Sequence, residues 1–94
     1  MTINVRHNED DATFEADVDG GLAFVEYVMD GNTIRFTHTE VPPQSEGQGV
    51  AAQVVKAGLD YARKQNLRVF PQCAYVRSYV ERHPEWSDLV DEVS

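Results

Sequence analysis

The spacing of apolar residues changes period near the middle of the chain. Up to residue 41 it alternates every second position, as in strands with one buried face. Ile3, Val5 and His7 alternate with Thr2, Asn4 and Arg6, and after the acidic turn Glu9-Asp10-Asp11 a second alternation places Phe14, Ala16 and Val18 together. Asp19-Gly20-Gly21 reads as a turn, Leu22 to Met29 as a nearly continuous apolar strand interrupted by Glu26, and Asp30-Gly31-Asn32 as a hairpin signal. A fourth strand is expected over 32–41. Its parity puts Ile34, Phe36, His38 and Glu40 on one face and Thr33, Arg35, Thr37, Thr39 and Val41 on the other.

Beyond the glycines at 47 and 49 the period becomes helical, with Ala51, Val54, Val55, Gly58, Leu59 and Ala62 on one face. Leu67 to Phe70 is a short β-prone run cut off by Pro71, so residues 32–70 form a strand, glycine loop, helix and parallel strand, a crossover that packs its helix on the sheet. A second, shorter helix is expected over 74–83, ended by Pro84, with Trp86 and the segment to Val93 closing the core. The expected fold is α/β, with four antiparallel strands and a parallel fifth in one domain over residues 1–94.

The loop between fourth strand and long helix carries the first chemical signal. Glycine lets a ligand approach the backbone, and the first amides of a helix point outward unpaired, so Gln44-Ser45-Glu46-Gly47-Gln48-Gly49 suits a phosphate or pyrophosphate; the plainer reading is a structural turn. Gly47-x-Gly49-x-x-Ala52 also matches a dinucleotide-binding pattern. That motif follows its strand directly, whereas Pro42 and Pro43 intervene here, and no acid for a ribose lies between Leu67 and Gln72. No Lys-Ser/Thr follows Gly49, which excludes a Walker loop.

The same residues resemble a known family. Gln44 to Gly49 fits Gln/Arg-x-x-Gly-x-Gly/Ala, the acyl-coenzyme A pyrophosphate loop of the GNAT N-acetyltransferase superfamily, in that superfamily's place between strand and helix. With His38-Thr39-Glu40-Val41 before it and Pro71-Gln72-Cys73-Ala74-Tyr75 after the next strand, residues 22 to 86 look like its short single-domain branch, which carries a cysteine at the latter place. The resemblance implies acetyl-coenzyme A as acyl donor, an amine acceptor, and no metal. It implies that the Val41 amide orients the thioester, that Gln44 and the amides of Gly47, Gln48, Gly49 and Val50 hold the pyrophosphate, and that Cys73 or His38 assists transfer. Larger relatives carry helices between their first two strands; a few residues join them here, so the element that shapes the acceptor pocket is missing.

Two of these residues have reasons of their own. Cys73 lies where a parallel strand ends and a helix begins, a position that stabilises a thiolate, and it shares with the loop the carboxyl ends of neighbouring strands; the alternative is a buried small side chain. His38, near the end of the fourth strand, could take a proton from an ammonium acceptor or activate Cys73 if either comes within about 3 Å; otherwise it is structural. Glu40 and Glu26 are alternative bases. His7 and His83 have no spacing that suggests a metal site.

Charge narrows the partners. The net charge of −8 argues against nucleic acid. Residues 1–46 hold ten acids against two bases, and residues 47–83 hold six bases against two acids, so an anionic ligand is tolerated at the loop and a basic acceptor is drawn to the front half, unless these are plain solvated charges. One cysteine forbids an internal disulfide, and no apolar run suits a signal peptide or membrane span, which together point to the cytoplasm. A chain this size forms a small core, as a monomer or a homodimer. The competing functional class is an acyl-coenzyme A-binding or partner-docking module without turnover; a nucleotide-binding regulator would hold ADP as well as coenzyme A.

Overall fold

The computed structural model describes residues 3–90. Five strands form one sheet in the order of the chain: β1 (Arg6–Asn8), β2 (Thr13–Val18), β3 (Gly21–Asp30), β4 (Thr33–Glu40) and β5 (Arg68–Pro71). The first four pair antiparallel and β5 joins β4 in parallel, as the change of period requires. Helix α1 (Val50–Lys64) makes the crossover from β4 to β5, α2 (Ala74–Arg82) follows β5, and short 3₁₀ segments occupy Pro43–Ser45 and Pro84–Leu89.

One core holds the molecule together. Phe14, Ala16, Val25, Tyr27, Ile34 and Phe36 of the sheet pack against Val54, Val55, Leu59 and Ala62 of α1 and Val76, Tyr79 and Val80 of α2. Trp86 closes it as expected, 6% exposed, with the Arg63 guanidinium 5.1 Å from its ring centre. The α1 stripe begins one residue earlier than its spacing suggests, on buried Val50 rather than half-buried Ala51. The helix ends in a Schellman turn: Asn66 takes φ 57°, and the Leu67 and Asn66 amides donate to the Ala62 and Arg63 carbonyls at 2.8 and 3.3 Å.

Three expectations need correction. Residues 3–5 leave the sheet, because the Ile3 amide donates to Gln53 Oε1 of α1 at 3.4 Å instead of continuing along β2. Thr2 and the closing residues 91–93 lie outside the described residues. Pro71 ends β5 from within: it pairs with Phe36, and the amide of Cys73 donates to the Phe36 carbonyl at 2.8 Å.

The third correction concerns faces. Between β3 and β4 the register runs Phe24↔Glu40, Val25↔Thr39 and Glu26↔His38, then jumps to Tyr27↔Phe36. Thr37 is the extra residue of a β-bulge, its hydroxyl donating to the Glu26 carbonyl at 3.3 Å. One inserted residue exchanges the faces of everything after it. Ile34 and Phe36 therefore face the core as expected, but His38 and Glu40 do not share their side; they stand beside Glu26 and Phe24 on the opposite face, and Thr39 takes the inward place beside Val25.

Candidate functional site

The loop is braced from beneath and open above. After Pro42 the chain makes one 3₁₀ turn, with the Ser45 and Glu46 amides donating to the Pro42 and Pro43 carbonyls at 2.9 and 3.3 Å. Ser45, 2% exposed, donates its hydroxyl to the Asp19 carbonyl at 2.8 Å, tying the loop to the β2–β3 turn. The Gln44 side chain lies over Gly20, where a β-carbon would stand 2.7 Å from Gln44 Cδ, so as placed Gln44 braces the loop. Gly47 and Gly49 then adopt φ 80° and 76°. A β-carbon at either would meet nothing within 4 Å, so both backbones border open space.

Gly49 is the N-cap of α1. It supplies no side-chain cap, and the first turn, Val50-Ala51-Ala52, carries no acid; the first helical bond is Gln53 N–H to the Gly49 carbonyl at 3.3 Å. The preceding amides thus keep the unpaired geometry of a helix start, with the positive end of the dipole uncompensated. An anion meets hydrogen-bond donors there and no carboxylate in the first turn itself, although Glu46 of the loop also lines the groove.

Beside the loop runs a groove of about 470 Å³, walled by Thr39 and Val41 of the β4 end, Gly47 and Gly49 of the loop, and Tyr75 of α2. It exists because β4 and β5 part company after Phe36 and Pro71. A larger cavity of about 660 Å³ lies on the β2 side of the loop. It suits an anionic donor poorly: its Arg6 is held by Glu15 and Asp17 at 2.8 and 2.9 Å, and Asp19 adds further negative charge.

Cys73 is the N-cap of α2 and lies behind Thr39 of the groove wall. Its Sγ is 3.4 Å from Thr39 Oγ1, and it is a half-buried free thiol. Burial pushes the thiol pKa up, but hydrogen bonding from Thr39 and the nearby amides of Val76, Tyr75 and Thr39 outweighs it, so the pKa falls below the usual value.

The bulge separates His38 from Cys73. His38 is 55% exposed, its Nε2 lies 3.0 Å from Glu40 Oε2, and both residues stand on the face away from Thr39. Direct activation of Cys73 by His38 is therefore not what this geometry offers. His38→Gln is expected to change the alkylation rate of Cys73 by less than about twofold, because the ring stands on the face of the sheet away from Thr39; a tenfold change in an iodoacetamide assay contradicts the assignment of faces.

Of the residues singled out from the sequence, the fold brings Val41, Gly47, Gly49 and Val50 around one opening; Cys73 does not line it but touches its wall through Thr39, and Gln48 lines the cavity on the β2 side. Thr39 and Tyr75 join them without having been singled out. The bulge hides Thr39, and the sequence shows Tyr75 only within the Pro71-to-Tyr75 stretch and at the start of the expected second helix. Among the described residues no group of three or more His, Cys, Asp or Glu could hold a metal ion, and no helix is long and apolar enough to cross a membrane.

Comparison with known proteins bears on the family and the fold. The family model described as GCN5-related N-acetyl-transferase matches residues 13–89. The chain belongs to the GCN5-related N-acetyltransferase family. Protein NATD1 from Xenopus tropicalis is 30% identical over 87 residues, covering 88% of this chain and 79% of its own length; the mouse protein of the same name is 30% identical over 86. The solution structure of a GCN5-like protein from Staphylococcus aureus superimposes with a TM-score of 0.76 at 26% identity, over 98% of this chain and 91% of that one. Family membership supports acetyl transfer as the general activity.

Proposed function

We propose that the protein takes the acetyl group from acetyl-coenzyme A and passes it to a basic amine. The observation that carries this reading is the juxtaposition of an uncapped helix start with a groove whose far wall bears Thr39 beside Cys73. The amides of Gly47, Gln48, Gly49 and Val50 receive the pyrophosphate, where the helix dipole and hydrogen-bond donors act together. Val41 and Tyr75 flank the pantetheine arm, which reaches from loop to sheet. Gln44 supports the loop from below.

In the transfer the acceptor nitrogen forms a bond to the thioester carbonyl carbon, the carbon–sulfur bond breaks, the nitrogen loses a proton and the departing coenzyme A sulfur gains one. The developing oxyanion needs a fixed N–H, which the Val41 amide supplies at the end of β4. Cys73 serves this exchange either as the nucleophile that briefly carries the acetyl group or as the group that handles the proton. His38 and Glu40 meet an acceptor only if it arrives on the opposite face of the sheet.

Release of free coenzyme A against a panel of amines tests this reading. Basic amines should react fastest, more slowly as salt screens the acidic front half beyond about 10 Å at 0.1 M. Cys73→Ala should bind coenzyme A and lose turnover. Sustained thiol release, beyond one equivalent, that needs no acceptor contradicts transfer to an amine; a Cys73→Ala protein that turns over normally contradicts the role of Cys73; and no thiol release with any amine leaves a binding module.

A further inference from the structure

We infer that Thr39 is a positioning residue for the transfer: its hydroxyl holds Cys73 Sγ against the groove wall that Thr39 forms, and it reaches that place because β4 carries the extra residue Thr37. The inference rests on the reading that Cys73 takes part in the reaction.

Three observations meet at this residue. Thr39 pairs with Val25 on the core face, so its side chain points to the side of the sheet where α1 and α2 pack. Without the bulge that inward place falls to a neighbouring residue of β4 and Thr39 turns outward. Next, the Cys73 backbone is fixed independently of its side chain, since its amide donates to the Phe36 carbonyl at 2.8 Å and its carbonyl accepts from the Arg77 amide at 3.0 Å. The sulfur is then swung from a fixed point, with the Thr39 hydroxyl 3.4 Å away as a hydrogen-bonding side chain. Finally, Thr39 itself walls the groove. It stands between the ligand space and the thiol and touches both.

The neighbouring threonine is spent differently. Thr37 gives its hydroxyl to the Glu26 carbonyl and so closes the bulge. One threonine makes the irregularity and the other is delivered by it. A hydroxyl donates to a thiolate more strongly than to a neutral thiol, so Thr39 favours the anion and limits the directions in which sulfur can point.

The test uses the full chain and the pH profile of Cys73 alkylation by iodoacetamide, with no acceptor or donor present. Thr39→Val keeps the shape and suits a strand but removes the hydroxyl. Its midpoint should rise by about one pH unit, a tenfold change in the proton affinity of the thiolate or about 1.4 kcal/mol. Thr39→Ser should stay within a few tenths of a unit of the unmodified protein. A Thr39→Val profile that superimposes on the unmodified one overturns the inference, as does an equal shift in Thr39→Val and Thr39→Ser, which marks a packing effect. If Thr39→Val does not fold, Thr39→Ala is measured the same way under the same criteria. Because the readout is the thiol and not turnover, normal turnover by Cys73→Ala would remove the proposed chemistry without deciding the alkylation result.

Discussion

Gly49→Val is expected to lower affinity for coenzyme A at least tenfold, about 1.4 kcal/mol, and Gly47→Val to do the same. Both glycines have positive φ and border open space, so a new side chain enters the volume above the loop rather than the protein interior. The left-handed backbone adds a conformational cost of roughly 1–2 kcal/mol at each position. That cost lowers stability but leaves a domain with about 5–15 kcal/mol of it folded. Calorimetric titration with coenzyme A, on protein whose circular dichroism matches the unmodified chain, separates the two effects. Unchanged affinity contradicts pyrophosphate binding at this loop.

The second large effect is on stability, at the one glycine inside α1. At an exposed helical position Gly→Ala is favourable by about 1 kcal/mol. At Gly58 the sign should reverse. A β-carbon there would stand 2.8 Å from Phe36 Cε1 and 2.9 Å from Cζ, and Phe36 is fully buried in a close-packed core that cannot give way freely. Overpacking of this kind costs about 1–3 kcal/mol, so Gly58→Ala should be near neutral to destabilising, and Gly58→Val should lose about 2–3 kcal/mol, roughly 10–20 °C in melting temperature for a chain of this size. A melting temperature that rises in Gly58→Ala means that α1 does not sit this close to β4.

The legible parts of the fold were those with a local cause. The helical stripe from Val54 to Ala62, Gly31 (φ 61°) in the two-residue turn joining β3 and β4, and the glycine loop all announce themselves by residue type and spacing. The bulge does not. In Thr33-Ile-Arg-Phe-Thr-His-Thr-Glu40 nothing marks Thr37 as unpaired, because the insertion is defined against β3, a partner the local pattern does not contain. Counting by twos from Phe36 therefore carried His38 to the wrong side and hid Thr39. Residues 3–5 misled for a related reason: their alternation is real, with Ile3 and Val5 half-buried, but the burial is against α1 instead of a longer pairing with β2. The position of Cys73 is readable from the strand end, whereas the side chain that hydrogen-bonds its sulfur depends on that single inserted residue.

The central claim is that the donor lies with its pyrophosphate over the start of α1 and its arm in the groove between β4 and α2. Titration of coenzyme A into isotopically labelled protein, followed by amide NMR, tests it most directly. Saturable shifts are expected at Gly47, Gln48, Gly49, Val50 and Ala51, continuing through Val41 and Thr39 to Tyr75, with smaller changes at Asn4, Arg6 and Asp17 in the cavity on the β2 side. Shifts centred on Asn4, Arg6 and Asp17, with the amides of residues 47–51 unmoved, would contradict it.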